Sequence, residues 1–478
     1  MSISNRNIYK PEISVNFEAQ MPIGAEPELI EVSENLYEDR MTVWYEYVPS
    51  SYQEGVAVPL VLQMHGGSGD GLRDALETDW HRIAEEKGFI VVYPNSHRYG
   101  RWECDEADIE TIRRLIVRIC ERYTIDTSRI YMQGMSNGDM ITTAFVLEHP
   151  ELLAAAGFIA GPLPKEMLPH LPKGPLPCIQ IRGEKDVRFG QKMEFEKSDV
   201  YRPKSEMNDY NRRMWMTANH VMETPEMYLH GKDNFFVYQG DPCDLIYWEV
   251  KDMGHRYPSV VASVFWDYCY SGWAKVDGKS VRLTPNRKFQ KESLQFAVAV
   301  GGKGIYQHGK VIPFATGSNP ECLLVHPGRQ EDPYYDVGEM LLTSAIYAPI
   351  EALAIGFDCQ YEVAVNGKTA VLRDAEGKEY CFLKNSSSVF VNGEMHSLKK
   401  PCFHRYGLFF IPIAEAASEL FGCFTSENDG VVVISRCPVE LSKGAARILA
   451  HQLNAPAQYP EPEIHSYFAG KDEEKYEK

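Results

Sequence analysis

The chain has 478 residues, 44% of them hydrophobic and 24% charged, which is enough for two or three domains with full cores and argues against wholesale disorder. Its formal net charge of -18 argues against a nucleic-acid partner, which needs clustered Lys and Arg, and against an anionic membrane surface. The longest apolar stretch, from Glu339, carries Pro349 and Glu351 and reads as soluble core rather than a membrane span.

Residues 1–40 read as an N-terminal extension. Their start, "MSISNRNIYKPEISVNFEAQ", has no apolar run after a basic stretch, so no secretory signal is expected and a cytoplasmic location follows. A leader missing from the sequence as given would make the location secreted or cell-surface instead. Eleven cysteines without a CxxC pair also suit a reducing compartment.

From residue 41 to about 275, strand-like apolar runs alternate with helix-like ones, the pattern of a mostly parallel sheet covered by helices. The strand candidates are "TVWYEYV", "PLVLQMHG", "GFIVVYPN", "RIYMQGM", "AAAGFIAG", "PCIQIRG" and "LIYWEV". Among the helices, "DIETIRRLIVRICERY" is the clearest, with Ile109, Ile112, Leu115, Ile116 and Ile119 on one face. Residues 187–244 break this rhythm. The methionines Met193, Met207, Met214, Met216, Met222 and Met227 gather about this segment, which is either an adaptable cap over a pocket or an insertion whose methionines fill the core.

The stretch "RIYMQGMSNGDMITTAFVLEH" sets Ser136 between Gly134 and Gly138, after a strand candidate and before a helix candidate. G-x-S-x-G arises readily by chance, but the order strand, turn, helix is what a nucleophile elbow requires. A serine hydroxyl needs a histidine base, and the base needs an acid to fix its tautomer. The chain order Ser, acid, His then selects Asp186, after "PCIQIRG", and His255, after "LIYWEV". Glu184 and Asp252 compete for the acid role, although Asp186 suits the loop after Gly183 better. An oxyanion needs two N–H donors. The amide of Asn137 is one, and the turn "HGGSGDG" supplies the other from Gly66 or Gly67, with Gly67 preferred. His65 reads as an anchor of that turn.

Residues 281–455 change character, with short strand-like runs, turns such as "VNGK" and "VNGE", and short helices, as in a smaller β-rich α+β domain. An internal echo links "YAPIEALAIGFDC" from Tyr347 with "FIPIAEAASELFGC" from Phe410. Residues 456–478 are proline-rich, then charged, and read as a flexible tail.

The stretches "PLVLQMHGGSGDG", "IAEEKGFIVVYPN", "IRGEKD" and "MGHRYP", with the elbow and the helix before it, resemble the polyhydroxybutyrate depolymerase and feruloyl esterase type of α/β-hydrolase. That resemblance implies cofactor-free hydrolysis of carboxylic esters, on plant polysaccharide side groups or on polyesters, with Ser136 as nucleophile, Asp186 as acid and His255 as base. It also implies that Trp102, in "YGRWECDEAD", could line the substrate pocket, a core or surface place being the alternative. The chain departs from the family at Asp139, where a second Gly is usual, and at Arg256, Tyr257 and Pro258, where Trp-Pro often follows the histidine. The stretches "SSSVFVNGEMHSL" and "GLFFIPIAEAASELFG" resemble the copper amine oxidase N-terminal-like domain, an accessory module common in surface proteins of Gram-positive bacteria. No metal is expected there, since His396, Cys402 and His404 do not form a convincing ligand set. The alternatives to an ester hydrolase are a peptidase or acyltransferase on the same residues, or an inactive binding scaffold.

Overall fold

The structure is a computed structural model that describes residues 28–38, 40–97, 100–163, 170–186, 204–289, 294–315, 320–328 and 334–454. The tail at 456–478, Met193 and most of the extension at 1–40 lie outside the described residues. The chain divides into two compact units. The first holds residues up to Pro225 and Phe235–Phe289; the second holds Glu226–Asn234 and the chain from Gln290 to Tyr459.

In the first unit the central strands are buried along their whole length, as strands covered on both faces require. The strands are β1 (Ile30–Tyr37), β2 (Arg40–Tyr47), β3 (Val58–Met64), β4 (Ile90–Pro94), β5 (Ile125–Met135), β6 (Ala155–Ile159) and β7 (Cys178–Gly183). After β8 (Glu226–His230), which falls in the second unit, come β9 (Asp233–Tyr238) and β10 (Leu245–Val250). Every residue of β4, β6, β7 and β10 is buried. The strands lie in the order β1-β2-β4-β3-β5-β6-β7-β10-β9. From β4 to β10 the pairs are parallel, while β1 and β2 join antiparallel at one edge.

Around this sheet stand α1 (Gly71–Glu77), α2 (Trp80–Lys87), α3 (Glu106–Arg122), α4 (Asn137–Glu148), α5 (Lys204–Ala218) and α6 (Val261–Tyr268). Helix α3 is capped by the Asp105 carboxylate, which accepts from the Asp108 amide, and it buries Ile112, Leu115, Ile116 and Ile119. Ile109 is half-buried. By contrast α4 is buried nearly all round and sits in the core. This parallel sheet, its antiparallel edge and its crossover helices give the first unit an α/β architecture with a mostly parallel central sheet. Its loops of chemical interest leave the carboxyl ends of β3, β5, β7 and β10, the end at which sheets of this kind hold their ligands.

The methionine-rich segment is in part a helix. Met214 and Trp215 of α5 are fully buried, and the Trp215 ring stacks on Phe158 of β6 at 5.4 Å. Met216 is half-buried and Met222 is 58% exposed. The side chain of Met207 and residues 187–203, on which a cap would depend, lie outside the described residues. Past residue 275 the strands Trp273–Val276 and Lys279–Arg282 form a hairpin of the first unit. Asp277 and Gly278 turn it with φ of 49° and 71°, the geometry of a two-residue primed turn.

The second unit is β-rich, with a five-stranded sheet, an eight-stranded sheet and short helices. The echo in the sequence has a structural counterpart. The strands Ala345–Pro349 and Leu408–Pro412 pair antiparallel with Tyr347 opposite Pro412 and Pro349 opposite Phe410, so each copy of the motif meets its equivalent. A short helix follows each strand, and Phe357 and Phe421, at the ends of the helices, stack at 4.0 Å. His396, Cys402 and His404 lie on the strand Glu394–Arg405, where Cys402 is buried and His404 pairs opposite Phe409.

Candidate active site

Ser136 closes β5 with φ 57° and ψ -115°, a strained conformation for a residue with a side chain. The surrounding backbone enforces it. A Cβ on Gly134 would come within 2.3 Å of Gly138 backbone atoms, and one on Gly138 within 2.1 Å of the Met64 carbonyl. The elbow therefore forms only where both flanks are glycine. The Ser136 amide donates to the Ile159 carbonyl at 2.7 Å, which ties the turn to β6. Gly161, just past β6, carries a requirement that the motif does not announce: a Cβ there would lie 1.8 Å from the Ser136 carbonyl oxygen.

Asp186 and His255 are joined, with Nδ1 of the imidazole 2.9 Å from Oδ2 of the carboxylate. The neighbouring strands explain the meeting. β7 and β10 run parallel with Gly183 opposite Val250, and their following turns interlock through Glu184 N to Val250 O at 3.0 Å and Lys185 N to Met253 O at 2.9 Å. A Cβ at Gly183 would sit 2.3 Å from the Met253 carbonyl, so glycine lets the turns touch. Both competing acids face elsewhere. Glu184 accepts from Lys251 Nζ at 2.8 Å and from the Asp252 amide at 3.1 Å, and Asp252 pairs with Lys185. A carboxylate acceptor at Nδ1 keeps the proton there and leaves Nε2 as the basic nitrogen. The Asp186 side chain is fully buried and that of His255 is 12% exposed.

The turn after β3 rests on the elbow. A Cβ on Gly66 would lie 3.7 Å from the Ser136 Cβ, and one on Gly67 3.7 Å from the Asn137 Cβ. The Asn137 amide opens α4, whose N-terminus favours developing negative charge. His65 is fully buried, and desolvation lowers its pKa and favours the neutral ring. Its Nδ1 donates to Gly66 O at 2.8 Å and its Nε2 accepts from the Ser96 amide at 2.9 Å, so it fastens the turn to the loop after β4.

Trp102 is only 3% exposed. Its indole N–H donates to His65 O at 3.1 Å and its ring lies on the imidazole with centroids 5.1 Å apart. The Asn137 side chain closes this arrangement: its Oδ1 accepts from Trp102 N at 2.6 Å and its Nδ2 donates to Trp102 O at 2.9 Å. Burial and these hydrogen bonds give Trp102 a supporting place against the turn that carries Gly66 and Gly67.

Asp139 also finds a partner that the motif did not reveal. Its buried carboxylate accepts from Arg182 Nη1 at 3.1 Å, the Gly161 amide at 2.7 Å and Thr143 Oγ1 at 3.3 Å. Desolvation raises its pKa, and the guanidinium of Arg182 opposes that rise. The pair bolts α4 to β7 and to the Gly161 turn. No sequence signal marks it beyond an Arg inside a fully buried strand. Among the described residues no three His, Cys, Asp or Glu side chains converge on a metal position, and no helix is long and apolar enough to cross a membrane.

No protein-family model matches the chain. It is similar to a bifunctional acetylxylan esterase/xylanase from Neocallimastix patriciarum, 26% identical over 241 residues that make 48% of this chain and 33% of that protein. It is also similar to a probable acetylxylan esterase A from Aspergillus fumigatus, 28% identical over 130 residues, or 25% of this chain and 34% of that protein. The matched part thus spans about a third of the length of these curated relatives. Among solved structures, an acetyl xylan esterase from Aspergillus awamori superposes with a TM-score of 0.38 and 17% identity, over 48% of this chain and 94% of that one.

Proposed function

We propose that the chain is a serine carboxylic-ester hydrolase that works through an acyl-enzyme. The observation that carries this reading is the Asp186–His255 hydrogen bond, formed at the same end of the sheet as the strained elbow of Ser136. In this reading Nε2 of His255 takes the hydroxyl proton as Ser136 Oγ bonds to the ester carbonyl carbon. The carbonyl electron pair moves to oxygen, where the amides of Asn137 and Gly67 stabilise it. Collapse expels the alcohol, which receives the proton from Nε2, and water repeats the sequence to release the acid.

The similarity to acetylxylan esterases supports an acyl ester of a plant polysaccharide, acetyl or feruloyl, as the substrate, with short polyesters next. Residues 281–455 are read as an accessory module of the copper amine oxidase N-terminal-like kind, supported by the duplicated strand and helix. A cytoplasmic location is supported by eleven cysteines that are all free thiols.

The test is turnover of p-nitrophenyl acetate, acetylated xylan, methyl ferulate and hydroxybutyrate oligomers by the wild type and Ser136→Ala. Substitution should lower kcat on the order of 10³-fold or more. Equal turnover by the two folded proteins would refute the assignment, and the ranking of esters identifies the substrate class.

A further inference from the structure

Tyr257 stands two residues beyond His255, and its hydroxyl enters a buried polar chain that the mechanism above does not use. The hydroxyl donates to the Asp74 carboxylate, at 3.2 Å from Oδ1 and 3.1 Å from Oδ2, and accepts from Gln63 Nε2 at 2.9 Å. Gln63 Nε2 also donates to Asp74 Oδ2 at 2.6 Å, and Gln63 Oε1 accepts from Gln133 Nε2 at 2.8 Å. Gln133 Oε1 in turn accepts from the Tyr270 hydroxyl at 2.9 Å. Gln63, Gln133 and Tyr270 are fully buried and Asp74 is nearly so.

The placement of these residues is specific. Gln63 lies just ahead of the turn that carries Gly66 and Gly67, Gln133 just ahead of Ser136, and Tyr257 just after His255. One connected network therefore holds the strands that deliver the oxyanion turn and the elbow and the loop that delivers the base. Buried amides and carboxyls in such a network fix geometry because an unmade hydrogen bond there costs far more than one at the surface. Apolar packing would supply adhesion without that directional constraint.

We infer that Tyr257, held by Asp74 and Gln63, is a positioning residue for the imidazole of His255. The inference rests on the proposed esterase reading for its role in turnover, but its structural content stands apart from that reading. Burial pushes the Asp74 carboxyl up to about 7, opposed by the hydrogen bonds from Gln63 and Tyr257. Glu77 and Arg73 on α1 add smaller opposing influences, and Tyr93 on β4 also faces the group. The network thus changes charge near neutrality.

The experiment compares full-length wild type, Ser136→Ala, Tyr257→Phe and Asp74→Asn with p-nitrophenyl acetate between pH 5 and 9. The His255 ring is followed by NMR on histidine-labelled protein. Tyr257→Phe should lose about tenfold in kcat with KM little changed, since a small misplacement of a catalytic group is felt in the chemical step. Asp74→Asn should lose a similar factor and show a flatter pH profile. Wild-type kcat at every pH in both variants, with Ser136→Ala inactive, would overturn the inference. Should Tyr257→Phe fail to fold, Asp74→Asn carries the same test. If the wild type shows no Ser136-dependent turnover, the esterase reading fails and the NMR decides. A displaced or broadened His255 resonance in the folded variant upholds the positioning role, and an unchanged one refutes it.

Discussion

Single atoms set the limits at this site. Replacing Gly161 by Ala would bring a methyl group against the Ser136 carbonyl, so Gly161→Ala should cost on the order of 10²-fold in kcat by displacing the elbow; ester turnover beside a melting curve checks it. Asp74 gives a pH signature. Its carboxyl is raised from 3.8 to about 7 in the folded protein, so between these values the folded state binds the proton more tightly than the unfolded state does. Its contribution to stability therefore falls as pH rises from about 4 to about 7 and stays low above that. Asp74→Asn removes this slope. Relative to wild type, the variant should gain roughly 2.6 kcal/mol between pH 5 and pH 8, measured by urea denaturation at each pH. A constant difference between the proteins would show that Asp74 titrates normally.

Whole elements meet at the site through few, long-range contacts. The Arg182–Asp139 pair joins β7 to α4 with both side chains almost completely buried. Arg182→Ala strands a buried carboxylate and should destabilise the protein by about 3 kcal/mol, whereas Arg182→Met combined with Asp139→Asn should recover part of that loss. Chemical denaturation of the single and double variants checks this, and equal losses would deny the coupling. Strand content was legible because fully buried parallel strands write continuous apolar runs, as in β4 and β6. The edge strand β1 has a mixed, half-exposed face and gave no comparable pattern.

At the scale of the whole molecule, sequence order and unit membership part company at Glu226–Asn234. This segment belongs to the second unit, where Gly231 N donates to Pro438 O at 2.9 Å, Glu440 N to Gly231 O at 2.7 Å and Asn234 Nδ2 to Glu440 O at 3.1 Å. A chain cut after Phe289 keeps the segment and loses those partners. Such a truncation should melt at lower temperature than the full chain even though every residue of the first sheet is retained. A preserved melting temperature by calorimetry would show that the segment needs no partner.

The sequence by itself determined the strands β2 to β7 and β10, the helix α3, the elbow around Ser136, and the positions of Asp186 and His255 just past strand ends. These are local facts, written in apolar periodicity and in glycines that the turn sterically demands. Only the tertiary structure decided that Asp186, and neither Glu184 nor Asp252, meets His255, and that Trp102 supports the turn after β3. It alone joined Asp139 to Arg182, and Tyr257 to a glutamine 194 positions away. Such choices depend on which strands become neighbours and which way their side chains face, and a polar residue in a linear sequence does not announce the distant partner that will satisfy it.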